Sequence, residues 1–508
     1  MFVFAAGAAS AQTLPRTASG KPNLQGIWQA ATRASYNLED HVARHDMPAG
    51  RSVVASGTIP YQDWALEQRH ANFENRETED PFASCFLPGV PRVMALESPF
   101  HLFQTDEHVA ITFEWQQVYR MIYIDDGPSM YEGIPSFMGH SRGRWEGDVF
   151  VVEVKDQNDR TWLDASGNFH SDSLQVTERY RLRDANTIEY EATLEDPEVF
   201  TEPWSIRFEL RRQTQYDRIL ENQCQAEKEE ANGLFERDER NWYPAPIPEE
   251  NVPFDATAGI DIPLPDVPTH IPRLADGTPD ISGFFMADGG GANYGLEAHP
   301  GHELLPPSRG HVIDPPDGSL PYQAWARAER IDREMPYRGY DDPTAHCIVA
   351  GVPRSHYVPA PFVILQPPGY VVILHERMSW RQIELDRSEH LPDSIRLWMG
   401  DSIGRWEGDS LVVETRNMNG KTWLNEAGDV VSHMQTTVET FTPVSSTQVM
   451  YRATVTDPIP YTRPWTMEMP FNREDQELLE VACLEDNNDL QHLKDVRDEH
   501  RARMSEGG

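Results

Sequence analysis

Two histidines and an aspartate, His140, His170 and Asp172, flank a short motif that the chain uses twice. The motif is Gly143-Arg144-Trp145-Glu146-Gly147-Asp148. It returns unchanged as Gly404-Arg405-Trp406-Glu407-Gly408-Asp409, 261 residues later. Histidine is the side chain that titrates closest to neutral pH, so a histidine beside a carboxylate can take up and return a proton. In that chemistry His140 is the acid or base and Asp172 or His170 its partner. Two histidines and an aspartate are also a metal-binding combination. Ser141 and Ser171 lie beside the set, but no nucleophile elbow accompanies them. The second copy carries Asp401, Val431 and His433 at the aligned positions, so the reactive set belongs to the first copy.

A further polar set follows from strand alternation. Over 174–183, Glu178 and Tyr180 share a face with Leu174, Val176 and Leu182, while Arg179, Arg181 and Arg183 take the other. Arg120 likewise shares a face with Ile122 and Ile124. Arg381 and Glu439 repeat the arrangement in the second copy. A lone buried charge is costly, and pairing with an opposite charge offsets the cost. The spacing therefore predicts interior ion pairs, Arg120 with Glu178 and Arg381 with Glu439. The functional alternative makes Arg120 and Glu178 ligand anchors, with Tyr180, Trp145 and Trp162 lining a cavity.

These residues need a scaffold that presents one face of each strand inward, and the repeat supplies it twice. Matching Thr-Trp-Leu, Asp-Pro and Pro-Trp segments keep the same offset as the motif, so the chain is two copies of one domain. Each copy opens on a Gly-x-aromatic segment (Gly26-Ile27-Trp28 and Gly283-Phe284-Phe285), and helices are expected near 60–77 and 321–334. Strands are expected at about 99–105, 108–115, 118–125, 149–155, 174–183, 187–195, 204–212 and 217–224. Gly147-Asp148 forms a two-residue hairpin turn. The fold class is mainly β: a tandem duplication of an antiparallel, up-and-down, lipocalin-like β-barrel with one short helix per repeat. The domains are 19–226 and 276–483, joined by a proline-rich linker over 227–275 and followed by a charged tail over 484–508.

Residues 1–11 read as the remnant of a signal peptide, with Ala9-Ser10-Ala11 as a small-x-small cleavage site. No stretch has the roughly 18 apolar residues of a membrane span. The four cysteines fall two per copy at nearly equal separations, Cys85 with Cys224 and Cys347 with Cys483. In an exported chain that pattern means one disulfide per domain. There are 82 acidic residues against 44 basic ones, a net charge of −38, which argues against nucleic acid or an anionic membrane as partner. No calcium-loop spacing and no Cys-x-x-Cys is present, and no cofactor is implied.

Cys-x-x-x-Gly-Val-Pro-Arg, Met-Gly-His-Ser-x-Gly-Arg-Trp-Glu-Gly-Asp, Thr-Trp-Leu-Asp and His-Ser-Asp together resemble an uncharacterised family of exported bacterial proteins. The resemblance covers most of 20–224 and 277–483 and implies no assigned reaction. His140, Asp164, His170 and Asp172 match the pattern in copy one. Copy two departs from it at Asp401, Asn425, Val431 and His433. The barrel plan is also similar to lipocalins, which implies a cavity for a small, partly apolar molecule.

The reading is a periplasmic or secreted tandem barrel that holds a small, partly apolar molecule in copy one. Isomerase, lyase or hydrolase chemistry by acid–base catalysis goes with it. Two alternatives stay open: a non-catalytic periplasmic carrier or scaffold that binds a glycan or partner, and a metal-dependent hydrolase.

Overall fold

Alternating apolar and polar residues make half-buried strands, and here they close into two barrels. In the computed structural model, residues 14–235 except 126 are described. So are 271–506 except 289, 290, 302–304, 378 and 486. The proposed signal remnant, 1–11, lies outside the described residues. The chain separates into two compact units. One runs to Glu114 and takes up again over Arg120–Ile219; the other takes Trp115–Tyr119 and everything from Leu220.

The first barrel closes in sequence order through β1 (Gly26–Ala30), β2 (Phe100–Gln104), β3 (His108–Phe113), β4 (Tyr119–Tyr123), β5 (His140–Glu146), β6 (Val149–Lys155), β7 (Gln175–Asp184), β8 (Thr187–Glu195) and β9 (Trp204–Arg212), with β9 pairing back onto β1. Helix α1 (Asp63–Glu79) precedes β2. In β7, burial alternates as expected: Val176, Glu178, Tyr180 and Leu182 are buried between less buried neighbours. The turn between β5 and β6 is the predicted two-residue one, with Glu146 opposite Val149 and Gly147 at φ 62°. That left-handed conformation suits glycine.

The second barrel repeats the plan with β10 (Gly283–Ala287), β12 (Phe362–Leu365), β13 (Tyr370–His375), β14 (Ser379–Glu384), β15 (Asp401–Glu407), β16 (Ser410–Arg416), β17 (Thr436–Pro443), β18 (Gln448–Thr456) and β19 (Trp465–Glu474). The pairing of β10 with β19 closes it, and a short β11 (Val312–Asp314) adds to β19. Helix α3 (Ala324–Arg333) is the counterpart of α1.

One pairing in each barrel runs parallel, β4 with β5 and β14 with β15. A parallel neighbour cannot be reached by a hairpin. A long segment therefore connects each pair, residues 124–139 in the first barrel and 385–400 in the second. The two crossovers are equal in length but differ in most of their residues.

Two expectations need correction. Residues 217–224 form no strand; helix α2 (Cys224–Ala231) starts there instead. The reason is packing: from Leu220 the chain belongs to the second unit, where Ala226 joins a cluster with Ile348, Val352, Met399 and Met418. The expected linker thus begins as helix, and its residues 236–270 lie outside the described ones. Part of the charged tail is helical as well, α4 (Asp489–Glu506).

Cys347 and Cys483 are joined by a disulfide across 136 residues, and Cys85 and Cys224 are disulfide-bonded too. Among the described residues no helix is long and apolar enough to cross a membrane.

Candidate functional site

The inward-facing charges of the first barrel satisfy one another. Arg120 donates through both terminal nitrogens to the two oxygens of Glu178, at 3.0 and 2.6 Å. Tyr180 and Tyr190 add hydroxyl donors to the same carboxylate at 2.9 and 2.8 Å. Arg120 and Glu178 have side-chain exposures of 1% and 0%. Burial pulls the guanidinium down, but the adjoining Glu178 outweighs it and leaves Arg120 above its ordinary value. Burial raises both tyrosines. With four donors on it, the Glu178 carboxylate has little capacity left for a ligand.

Arg381 and Glu439 form the same two-pronged pair in the second barrel, with Tyr451 as a further donor at 2.8 Å. Burial pushes Glu439 up, yet the adjoining Arg381 prevails and holds it at about 2.

His170 is buried and fully engaged. Its Nε2 meets Thr161 Oγ1 at 2.7 Å, its Nδ1 meets the Ser171 carbonyl at 2.8 Å, and burial lowers its pKa. Asp172 is exposed. His140 is half-buried at the start of β5, where its Nε2 donates to the Ile134 carbonyl at 2.9 Å. Among the described residues no hydrogen bond or ion pair joins His140 to His170 or Asp172. Trp145 is half-buried against Phe150, 5.0 Å between ring centres, and Trp162 is half-buried beside Phe169. Neither lines the cleft described next.

That cleft has a volume of about 270 Å³ and opens where the 124–139 crossover meets β5 and β6. His140, Arg142, Lys155, Asp125, Glu132 and Asp156 are among its walls. Arg142 donates to the carbonyls of Gly127 and Pro128 and lies over Tyr123. Asp156 accepts the Gly133 N–H. The crossover is thus pinned by Arg142, Asp156 and His140. The Lys155 ammonium and the Glu132 carboxylate have no hydrogen bond or ion pair among the described residues. Met130 and Ile134 stand exposed on the crossover, at 59% and 49%.

The equivalent corner of the second barrel is laced together. Asp156 is replaced by Asn417, and both adopt a left-handed backbone, φ 58° and 60°. The Asn417 amide donates to three carbonyls of the crossover, those of Leu391, Pro392 and Ile395. A carboxylate has no proton to give them. Asp401, in the place of His140, is fully buried and accepts from His390 Nδ1 and the Leu391 N–H at 2.9 and 2.7 Å. His390 stands on the crossover, where the first copy has Ser129.

Asp164 belongs to a structural network. It accepts from the N–H groups of Leu38, Ser166 and Asn168 and from the Asn168 amide, and burial pushes its carboxyl up to about 6. The second copy holds Asn425 and Asp429 at the positions of Asp164 and Asn168, still hydrogen-bonded to each other at 2.6 Å. Tyr61 and Arg69 meet Asn168 as Tyr322 and Arg330 meet Asp429. Asn425 is therefore not a lost acid. The carboxylate has moved four residues along one loop.

His356 and His375 escaped the sequence reading. They occupy the places of Met94 and Phe113, deep in the second barrel. Those two exchanges were the signal available. No protein-family model matches the chain, and no curated protein matches it.

Proposed function

We propose that the first barrel binds a small, partly apolar molecule, and that the cleft beside His140, not the barrel interior, is where it sits. The convergence of His140 with the uncommitted Lys155 and Glu132 on one open cleft, walled by a crossover that exposes Met130 and Ile134, carries this reading. A ligand with polar groups of both signs matches the walls, and an apolar portion lies over the crossover. The saturated Glu178 carboxylate argues against an anchor in the interior. The disulfides support an oxidising compartment such as the periplasm or the exterior.

Acid–base catalysis is a second reading with its own support. His140 gives its Nε2 proton to Ile134, which leaves Nδ1 as an acceptor on a residue that lines the cleft. Asp125, Glu132 and Asp156 then stand in for the partner role first given to His170 and Asp172.

Native mass spectrometry of the purified chain tests the binding site. A co-purified small molecule should be lost in His140→Ala combined with Lys155→Glu and kept in Glu178→Asp. An adduct that survives the cleft variant would place the site elsewhere.

A further inference from the structure

The second barrel holds a buried chain of nitrogen and oxygen atoms that the first lacks. Arg381 Nη1 lies 2.9 Å from His356 Nε2. His356 Nδ1 lies 3.3 Å from His375 Nε2, and His375 Nδ1 lies 3.3 Å from Ser379 Oγ. His356 and His375 are 0% and 4% exposed. Phe362, Phe441, Tyr451 and Phe471 pack round the His356 ring.

Only one set of protons fits these contacts. Arginine can only donate, so His356 Nε2 must accept. Its Nδ1 then carries the hydrogen and donates to His375 Nε2, and His375 Nδ1 donates to Ser379. Both imidazoles are neutral and each has one acceptor nitrogen already used. A proton added to His375 Nε2 would face the N–H of His356. One added to His356 Nε2 would face the N–H of Arg381, and Glu439 Oε1, at 3.5 Å, already takes Arg381 and Tyr451. The charged and titratable groups around the pair are Arg381 on β14, Glu439 on β17, Tyr451 on β18 and Tyr119, whose hydroxyl donates to the His375 carbonyl at 3.0 Å. The Arg381–Glu439 charges cancel, so no carboxylate is spare to receive an imidazolium.

We propose that His356 and His375 form an acid switch built into the second barrel: neutral, they fill its core, and protonation below neutral pH loosens β12, β13 and β14. Burial lowers His356 and, together with His356 and Arg381, lowers His375 further. For a histidine depressed in the folded state, the unfolded chain binds protons first as pH falls. The stability the pair contributes is therefore complete above the unfolded value of about 6.5 and is lost as pH drops towards the folded values.

Hydrogen–deuterium exchange on the full chain at pH 7.5 and pH 5, corrected for intrinsic rates, reads this out. Peptides over 362–365, 370–375 and 379–384 should exchange faster at pH 5, by up to about tenfold per histidine for each pH unit below the unfolded value of about 6.5. His356→Met with His375→Phe, the residues the first barrel uses, should remove the acid effect. Equal wild-type protection at both pH values, or a double variant as acid-sensitive as the wild type, would overturn the proposal. If the double variant fails to fold, His375→Phe alone, which keeps the His356–Arg381 contact, decides by the same measure.

Discussion

The two barrels differ at the corner where a crossover reaches β5 in one and β15 in the other. In the second, one asparagine amide and one buried aspartate hold the crossover against the wall. In the first, Asp156 stands where Asn417 would donate and His140 where Asp401 would accept, and a cleft lies there. A single amide-to-acid exchange removes three donor–acceptor contacts, each worth about 1 kcal/mol net. The lesson concerns duplicated folds. The barrel wall is indifferent to these two positions, so one copy can keep a sealed corner while the other leaves a cleft.

The strongest test of that contrast is to attack what the barrels share. Glu178→Gln and Glu439→Gln each leave a buried arginine without its charge partner, and each should cost about 3–5 kcal/mol. Urea unfolding followed by hydrogen exchange, barrel by barrel, measures it. If Glu178 were a ligand anchor, its variant would fold normally and lose only binding.

Exchanging the corner residues comes next. Asn417→Asp should cost the second barrel about 2–3 kcal/mol and speed exchange over 391–395. Asp156→Asn should let the first crossover close down, with a fall in any adduct seen by native mass spectrometry. No change in either would detach the cleft from this pair of residues.

Asp164→Asn should cost about 1–3 kcal/mol, because several buried N–H groups lose a charged acceptor. Adding Asn168→Asp installs the second barrel's arrangement and should recover most of it in a double-mutant cycle. Simple additivity would break the equivalence of the two loops.

Acid provides a further contrast. Glu439 is held at about 2, so its contribution is complete above the unfolded value near 4.3 and is lost as pH falls towards 2. In an acid titration the second barrel should therefore weaken in two steps, the histidine step first, and Glu439→Gln should erase only the lower one. The smallest effect belongs to His140→Ala, a half-buried site, where stability should change by only about 0.5 kcal/mol.

Much of this was legible in the residues and some was not. Strand alternation placed Arg120, Glu178, Arg381 and Glu439 inside, because a period of two leaves no choice of face. It could not say that Tyr190 and Tyr180 would saturate Glu178, since cross-strand neighbours depend on register. The β4–β5 crossover was invisible as a parallel step because irregular segments carry no period. His140 was singled out by comparing copies, and the cleft lies there. Its supposed partners, His170 and Asp172, have no hydrogen bond or ion pair with it among the described residues. The same comparison marked Asn425 as a departure from the pattern without seeing that Asp429 compensates it, since it weighed one position at a time. His356 sits in a short 3-10 turn, Arg354–His356, where alternation says nothing about burial.

The displaced carboxylate of the Thr-Trp-Leu loop bears on the history of the duplication. Asp–Asn and Asn–Asp cannot interconvert in one substitution, so a lineage must pass through either two acids or two amides. Two acids at bonding distance in a dry pocket would have to share a proton. Two amides leave a gentler fault, since Asn168 already accepts from Tyr61 and Arg69 without help from a charge. The easier ancestral path therefore runs through a neutral intermediate, and a present-day chain with asparagine at both places in one half would be a surviving relic of that step.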